Sequence, residues 1–262
     1  MRHIGLLDAA PADDEDGPAK AGVTNVPGFN RVAWDLTAEP PVPWRRAPSW
    51  NRGPKHGAML LPGTYALRLT VDGREFRQSL AIEPDPRAER SAAQLGAHAA
   101  YETKLNDTLS RIDTALNALD NLQLELPQRI RALAKIPSAG PALAASQTSL
   151  DAANRLAATL SSHPQNGQDN DFLRDLLRER VQSLLNGTTV LSPTAEQTRE
   201  SSALEGETDL VLADHQRFMN AQIAPLQLAL KAAGLAPIDL EALPAKPVPG
   251  ERRDEHGSRR GE

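Results

Sequence analysis

Leucine and isoleucine recur at alternating spacings of four and three residues in the middle of this 262-residue chain. The run consists of Leu105, Leu109, Ile112, Leu116 and Leu119. Side chains at these spacings share one side of an α-helix, so the pattern predicts a long helix packed along other helices. Ser91 and Gln94 form a capping-box pattern that predicts its start, and Pro127 predicts a break or kink near its end.

Three more helices are predicted after it. The first covers about 141–161, with an apolar stripe of Leu143, Leu150, Leu156 and Leu160. The second covers 170–186 and is expected to end in a left-handed cap at Gly187. The last begins at Ser192-Pro193 and closes at Gly234. Together these segments predict an antiparallel helical bundle over residues 86–240.

Residues 1–85 have the alternation of β-strands. Apolar residues alternate with polar ones from Tyr65 to Val71, and Asp72-Gly73 then predicts a two-residue hairpin turn. The alternation of Val32, Trp34 and Leu36 predicts another strand, with Trp34 in the core. The prediction is an α+β chain: a partial immunoglobulin-like β-sandwich over 1–85, the bundle, and a disordered tail over 241–262.

Composition excludes several functions. The chain has no cysteine, which rules out disulfides and thiolate metal sites. Its net charge of −5 argues against nucleic-acid binding, which needs a basic face. No apolar run is long enough to insert into a membrane. We therefore expect protein partners, with self-association as one form, and leave localisation open.

The histidines and acids do not form a recognisable reaction centre. His98 and Glu102 share a helix face, but two ligands do not make a metal site. His215 fits the edge of the apolar stripe as a packing residue with a satisfied nitrogen. Asp169 and Asp171 lack the glycine and glutamate that a calcium loop needs after them. We predict no catalytic, cofactor-binding or metal-binding residue.

A proline-rich loop over 39–58 places aromatic residues beside cations, a combination that is enriched in protein interfaces. These candidate partner contacts are Trp44, Arg45, Arg46, Trp50 and Arg52. The other interpretation of the loop, which we favour, is a long connection packed over its own sheet by two indoles.

The segment Asn30…Trp34-Asp35, followed by Leu61-Pro62-Gly63-Thr64-Tyr65, resembles the immunoglobulin-like module of flagellar hook-capping proteins. With Asp85-Pro86-Arg87, the leucine-rich helices and Gly234-Leu235-Ala236-Pro237, the order is similar to the C-terminal region of bacterial sortilin-like, BNR-repeat propeller proteins. Those proteins are often labelled glycosyl hydrolases.

This resemblance implies a periplasmic or secreted protein with a β-propeller as partner. The chain itself contains no propeller repeat, so we expect a C-terminal fragment or a descendant of one. The expected function is a non-enzymatic accessory or scaffold module that packs against another protein. The alternatives are a fragment of a glycosyl hydrolase acting on glycans and a coiled-coil oligomerisation module.

Overall fold

The computed structural model describes residues 29, 31, 34–48, 51–87, 90–162, 176–188 and 192–242. Within them the fold is α+β, as predicted, with one antiparallel pair of strands followed by helices. In chain order the elements are β1 Gly63–Val71, β2 Arg74–Ile82, α1 Ala92–Leu133, α2 Gly140–Leu160, α3 Leu177–Asn186, α4 Ala195–Phe218 and α5 Ala224–Ala232. None of the described helices combines the length and the apolar character that crossing a lipid bilayer requires.

The 42-residue helix α1 is the axis of the fold. Ser91 and Gln94 form the predicted capping box at its start. The five residues of the predicted apolar run are all buried, with at most 1% of their surface exposed. The predicted break at Pro127 does not occur, because α1 continues to Leu133. The side-chain amide of Gln128 donates to the Leu124 carbonyl at 3.3 Å, close to where proline removes a backbone donor.

The helices α2 and α3 lie one after the other along α1. A short turn at Pro137–Ala139 brings α2 back antiparallel to α1, and Gln123 donates to Asn154 between them. Ser161, just after α2, donates to Glu179 in the first turn of α3 at 2.6 Å. The two helices therefore meet end to end and cover successive halves of α1.

The opposite direction of α3 and α1 follows from two contacts. Arg178, near the start of α3, pairs with Asp113, which lies well inside α1. Thr188, just past the end of α3, donates to Glu102 near the start of α1. Later residues of α3 thus contact earlier residues of α1, so the two helices are antiparallel.

In contrast, α4 runs parallel to α1. Lys104 pairs with Glu205, and Arg111 pairs with Asp209 further along both helices. The bundle is thus antiparallel where α2 or α3 meets α1, but parallel between α1 and α4.

The predicted leucine stripe of α2 packs against the core but, except for Leu160, lies at the edge of the buried side rather than at its centre. Leu143, Leu150 and Leu156 are only partly buried against the core. The buried side of α2 carries small residues instead: Ala142, Ser146, Ser149, Ala152, Ala153 and Ala157, with Leu160 at the end. Small side chains let two helix backbones lie close together, which favours this side for contact with the leucine-rich α1.

The last helical segment begins and ends differently from the bounds predicted for it. Its cap is Thr194, which forms a capping box with Gln197, rather than Ser192. A π-helical turn at Met219–Ile223 separates α4 from α5, just before Pro225, which lacks an N–H donor. Gly234 has a φ of 78°, which confirms the predicted closure.

The cap predicted after α3 is wrong. Gly187 has a φ of −85° rather than a left-handed conformation. Its N–H donates to the Ser183 carbonyl at 2.9 Å, so the last turn simply continues right-handed.

Strands β1 and β2 form the predicted hairpin. Asp72 and Gly73 have φ values of 48° and 75°, as a type I′ turn requires. The register places Leu69 opposite Phe76 and puts the apolar side chains on one face. The described strands make only this two-stranded sheet, so they do not form the predicted sandwich.

The strand predicted around Trp34 is also wrong for the described residues. Residues 31 and 34–36 have no strand structure, and Leu36 has a left-handed φ of 58° that interrupts extended backbone. Trp34 is half-buried rather than in the core, and its indole N–H donates to the Thr37 carbonyl. Val32 lies outside the described residues.

Residues 37–48 and 51–59 belong to a long loop closed at its base, which we call the strap. A single bridge joins Thr37 to Met59, and the Ala38 N–H donates to the Ala58 carbonyl at 2.7 Å. Gly57 lies so close to Glu39 that a Cβ atom would come within 2.0 Å of the Glu39 carbonyl oxygen. The strap is therefore held shut at its base, and its tip reaches the bundle.

Candidate functional site

The tip of the strap is bound by polar side chains of α1. The Trp44 N–H donates to Asp113 at 3.0 Å, and the Arg45 N–H donates to Asn117 at 2.9 Å. The Trp44 indole N–H donates to Asp120 at 2.6 Å. Backbone and indole groups of the loop thus donate to the helix the hydrogen bonds that they would otherwise make to water.

These polar residues form a second stripe on α1, beside the leucine run. It consists of Asn106, Ser110, Asp113, Asn117, Asp120 and Asn121. The first five repeat the 4, 3, 4, 3 spacing of the apolar residues, which places them on one neighbouring side of the helix, and Asn121 directly follows the fifth. This regularity is visible in the sequence, although the predicted helix rested on the apolar residues alone. A polar stripe next to an apolar seam indicates a partner that brings hydrogen-bonding groups. Between Ser110 and Asp120 that partner is the strap, whereas Asn121 donates to the carbonyls of Leu240 and Ala242.

Arg178 and Asp113 form an ion pair in the centre of this contact. Their side chains are 0% and 1% exposed. Arg178 Nε donates to Asp113 Oδ1 at 2.6 Å, and Nη2 donates to Oδ2 at 3.0 Å. The guanidinium also lies over the Trp44 ring, with its central carbon 5.2 Å from the ring centroid.

Asn51 and Glu179 connect this ion pair to the meeting point of α2 and α3. Arg178 Nη1 donates to both the backbone and side-chain oxygens of Asn51, each at 2.7 Å. Asn51 Nδ2 in turn donates to Glu179 Oε1 at 2.7 Å and to the Ser161 hydroxyl at 3.2 Å. We call Asn51, Asp113, Ser161, Arg178 and Glu179 the junction network, since it joins the strap to three helices.

Burial raises the pKa of Asp113, and hydrogen bonds from Arg178 and the Trp44 backbone oppose that rise. The Asp113 carboxylate accepts three hydrogen bonds from these two residues. A buried carboxylate engaged in this way has no oxygen directed at an open cleft. The network joins the strap to the bundle through buried, mutually satisfied polar groups.

The structure separates the five residues proposed as partner contacts. Trp44 is 4% exposed and packs in the bundle core, so its indole contacts the bundle rather than its own sheet. Arg45 donates to the carbonyls of Glu241 and Ala242, at the start of the predicted tail. Residues 243–262 lie outside the described residues.

Of the remaining candidates, Arg46 and Arg52 have side chains that are not buried, and Trp50 lies outside the described residues. The Arg52 carbonyl accepts a hydrogen bond from Gln182 at 2.7 Å. Among the described residues of this loop, the partner-contact hypothesis therefore depends on these two arginines.

The hairpin presents a second candidate surface, on the face opposite Arg68, Glu75 and Arg77. Leu69, Val71 and Phe76 are 55%, 40% and 56% exposed. Met59 and Leu61, which lead into β1, are 61% and 39% exposed. Exposed large apolar side chains that lie close together on one element are typical of an interaction surface.

The histidines considered as ligands do not form a metal site. His98 Nε2 lies 3.3 Å from Glu102 Oε1, so the two residues pair with each other. His215 Nε2 is buried without a hydrogen-bond partner, so the expectation of a satisfied nitrogen was wrong. Within the described ranges, no group of three histidine, cysteine or acidic residues is arranged to hold a metal ion. Asp169 and Asp171 lie outside those ranges.

Comparison with family models, with curated proteins and with solved structures gave no match to this chain.

Proposed function

We propose that this chain is a non-catalytic accessory module that packs against another protein through the apolar face of its hairpin. The exposure of Leu69 and Phe76, which lie opposite each other on that face, is the observation that carries the proposal. A two-stranded hairpin is marginally stable on its own, because it has no second layer to cover its apolar side. Binding of a partner to this face would bury its apolar side chains and so stabilise the hairpin.

The other face of the hairpin supports this choice of side. Glu75 lies there between Arg77, which it contacts, and Arg68, whose Nη1 is 3.8 Å from Glu75 Oε2. Ion pairs of this kind remain in water at little cost, whereas they resist burial against an apolar partner. The charged face is therefore the solvent side, and the apolar face is the binding side.

The strap gives the module its rigidity. Because the junction network fixes the strap tip to the bundle, the strap base and the hairpin that follows it are attached to a solid helical body. We propose that the bundle is the scaffold and the hairpin the contact element, as part of an immunoglobulin-like module completed by further strands. The resemblance to propeller proteins makes a β-propeller the first partner to test.

Hydrogen exchange and light scattering on the full chain test the proposal. At concentrations low enough to keep the chain monomeric, we expect amides in α1 and α4 to exchange slowly and hairpin amides to exchange close to the rate of an open chain. Hairpin amides as protected as those of α1, in a monodisperse monomer, would contradict the need for a partner. Steady turnover of any member of a glycoside panel would contradict a non-catalytic role.

A matched pair of variants shows which face binds. Phe76→Ser lies on the apolar face and Ser79→Thr on the charged face, both within β2. A purified candidate propeller should lose binding to the first variant and keep binding to the second. Equal binding to both variants would place the contact elsewhere.

A further inference from the structure

The outer edge of β2 carries backbone groups that the hairpin does not use. The register pairs Val71 with Arg74 around the two-residue turn, so even-numbered residues of β2 exchange hydrogen bonds with β1. The odd-numbered residues Glu75, Arg77 and Ser79 therefore direct their N–H and C=O groups away from β1. Among the described strands, β2 pairs with β1 alone. Such an edge is a template for another strand.

We propose that the occupant of this edge is a second copy of the same chain. Two β2 strands would pair antiparallel about a two-fold axis at Phe76. Glu75 then lies opposite Arg77 of the partner subunit, and Phe76 lies opposite its own copy. The product is a four-stranded antiparallel sheet with its apolar side chains on one continuous face.

The order of charges along the edge selects this arrangement. A two-fold axis at Arg77 would set two arginines directly opposite each other, which is unfavourable. An axis at Gln78 would set Glu75 opposite an alanine and Arg77 opposite a serine, and would gain nothing from charge. Of these three axes, only the one at Phe76 makes two opposite-charge pairs at once. A surface with that property is self-complementary, as a symmetric dimer contact must be.

The four-stranded sheet formed in this way would also be more stable than the isolated hairpin. Both strands are exposed along most of their length, and three or more strands are needed for independent stability. Pairing through the edge leaves the apolar face uncovered. The inference therefore holds whether or not that face packs against another protein, and charge swaps at Glu75 and Arg77 test it without altering the apolar side chains.

Charge-swap variants of the full chain, followed by sedimentation equilibrium, test the dimer. We expect a concentration-dependent dimer for the unmodified chain. Glu75→Arg and Arg77→Glu each place like charges opposite each other twice, and each should weaken dimerisation by about tenfold. The double variant restores both opposite-charge pairs and should dimerise within about threefold of the unmodified chain.

Mixing the two single variants is the sharpest measurement. In a mixed dimer the chain carrying Glu75→Arg presents two positive charges to the two negative charges of the chain carrying Arg77→Glu. Both facing pairs are then opposite in sign, so the mixture should dimerise about tenfold more strongly than either variant alone. Arg199→Glu, on the exposed surface of α4, makes the same change in net charge as Arg77→Glu and should leave dimerisation unchanged. A monomer at all concentrations, or single variants that dimerise like the unmodified chain, would overturn the proposal. A double variant that fails to dimerise would overturn the proposed register.

Discussion

Leu116 in α1 and Leu69 in β1 have the same side chain and opposite surroundings. Leu116 is fully buried, whereas 55% of Leu69 is exposed. The reason is the number of neighbours that each element has. α1 packs against α2, α3 and α4, while β1 has only β2 beside it among the described strands. Apolar periodicity thus identifies the side of an element that is to be covered, but not whether the same chain covers it.

The strap stands between these two extremes. Its position in the sequence assigns it to the predicted β domain, yet its tip is part of the helical core. Trp44 and Asn51 enter the bundle with their polar groups already matched by α1 and α3. The domain boundary near residue 85 stays a prediction about folding units. In the structure, contacts cross it through the strap.

The largest effect is expected where the strap and the bundle share a buried charge. Arg178→Ala leaves Asp113 charged and buried without its partner, and should lower the free energy of unfolding by about 3–5 kcal/mol. Denaturant unfolding followed by helical circular dichroism measures this.

Two controls show whether burial is the cause. Arg180→Ala removes an arginine two residues away whose ion pairs are partly exposed, and should cost at most about 1 kcal/mol. Replacing Arg178 with methionine and Asp113 with leucine together should cost less than Arg178→Ala alone. Equal losses for the two single alanine variants would show that the buried pair does not hold the strap.

The contrast between the two leucines can be measured directly. Leu116→Ala removes a fully buried side chain, and should cost about 2–5 kcal/mol of bundle stability. Leu69→Ala should change the same unfolding transition by less than about 0.5 kcal/mol. Similar losses would mean that the hairpin face is covered within the chain, against the function proposed for it.

Two glycines of the strap should respond in different ways to the same change. A Cβ atom on Gly57 would overlap the backbone carbonyls of Glu39 and Ala38, so Gly57→Ala should open the strap base at a cost of roughly 1–3 kcal/mol. A Cβ atom on Gly53 meets Arg178 at an ordinary 3.5 Å, and Gly53→Ala should be tolerated. Unfolding curves of the two variants measure the difference. Two equally stable variants would show that the strap base adds nothing to stability.

Local rules predict the parts of the fold that depend on neighbouring residues. The Ser91 cap, the Asp72-Gly73 turn and the leucine run of α1 each follow from interactions within a few residues, and each is confirmed. Errors arise where a distant contact decides the outcome. The buried side of α2 is set by its fit to α1, which favours small residues such as Ala153 over Leu150.

The junction network is predictable only in part, for the same reason. The polar stripe of α1 is readable from its spacing, and it marks a side of the helix that needs hydrogen-bonding partners. The identity of those partners cannot be read from the sequence, because Asn51 and Arg178 lie 62 and 65 residues from Asp113 in the chain. Trp44 stands out in the sequence, but its aromatic and polar character suits an interface inside the chain as well as one between chains.

The smallest effect concerns pH and the contact between α4 and α1. Burial lowers the pKa of His215, so the folded chain favours the neutral imidazole. The unfolded chain takes up a proton on this imidazole at higher pH than the folded chain does. The contribution of neutral His215 to folding stability is therefore complete above the ordinary pKa of 6.5, and it is lost as the pH falls from 6.5 through the lowered pKa of the folded chain. Arg111 of α1 lines the same groove and opposes a second positive charge there.

We therefore expect the unmodified chain to lose stability more steeply than His215→Gln between about pH 7.5 and pH 5.5. Thermal unfolding at several pH values measures this, and His56→Gln in the strap controls for the removal of an imidazole. If the His215→Gln and unmodified curves remained parallel over this range, the buried nitrogen would not distinguish the folded from the unfolded chain. The contact between α4 and α1 would then depend only on the leucines and surface ion pairs between the two helices.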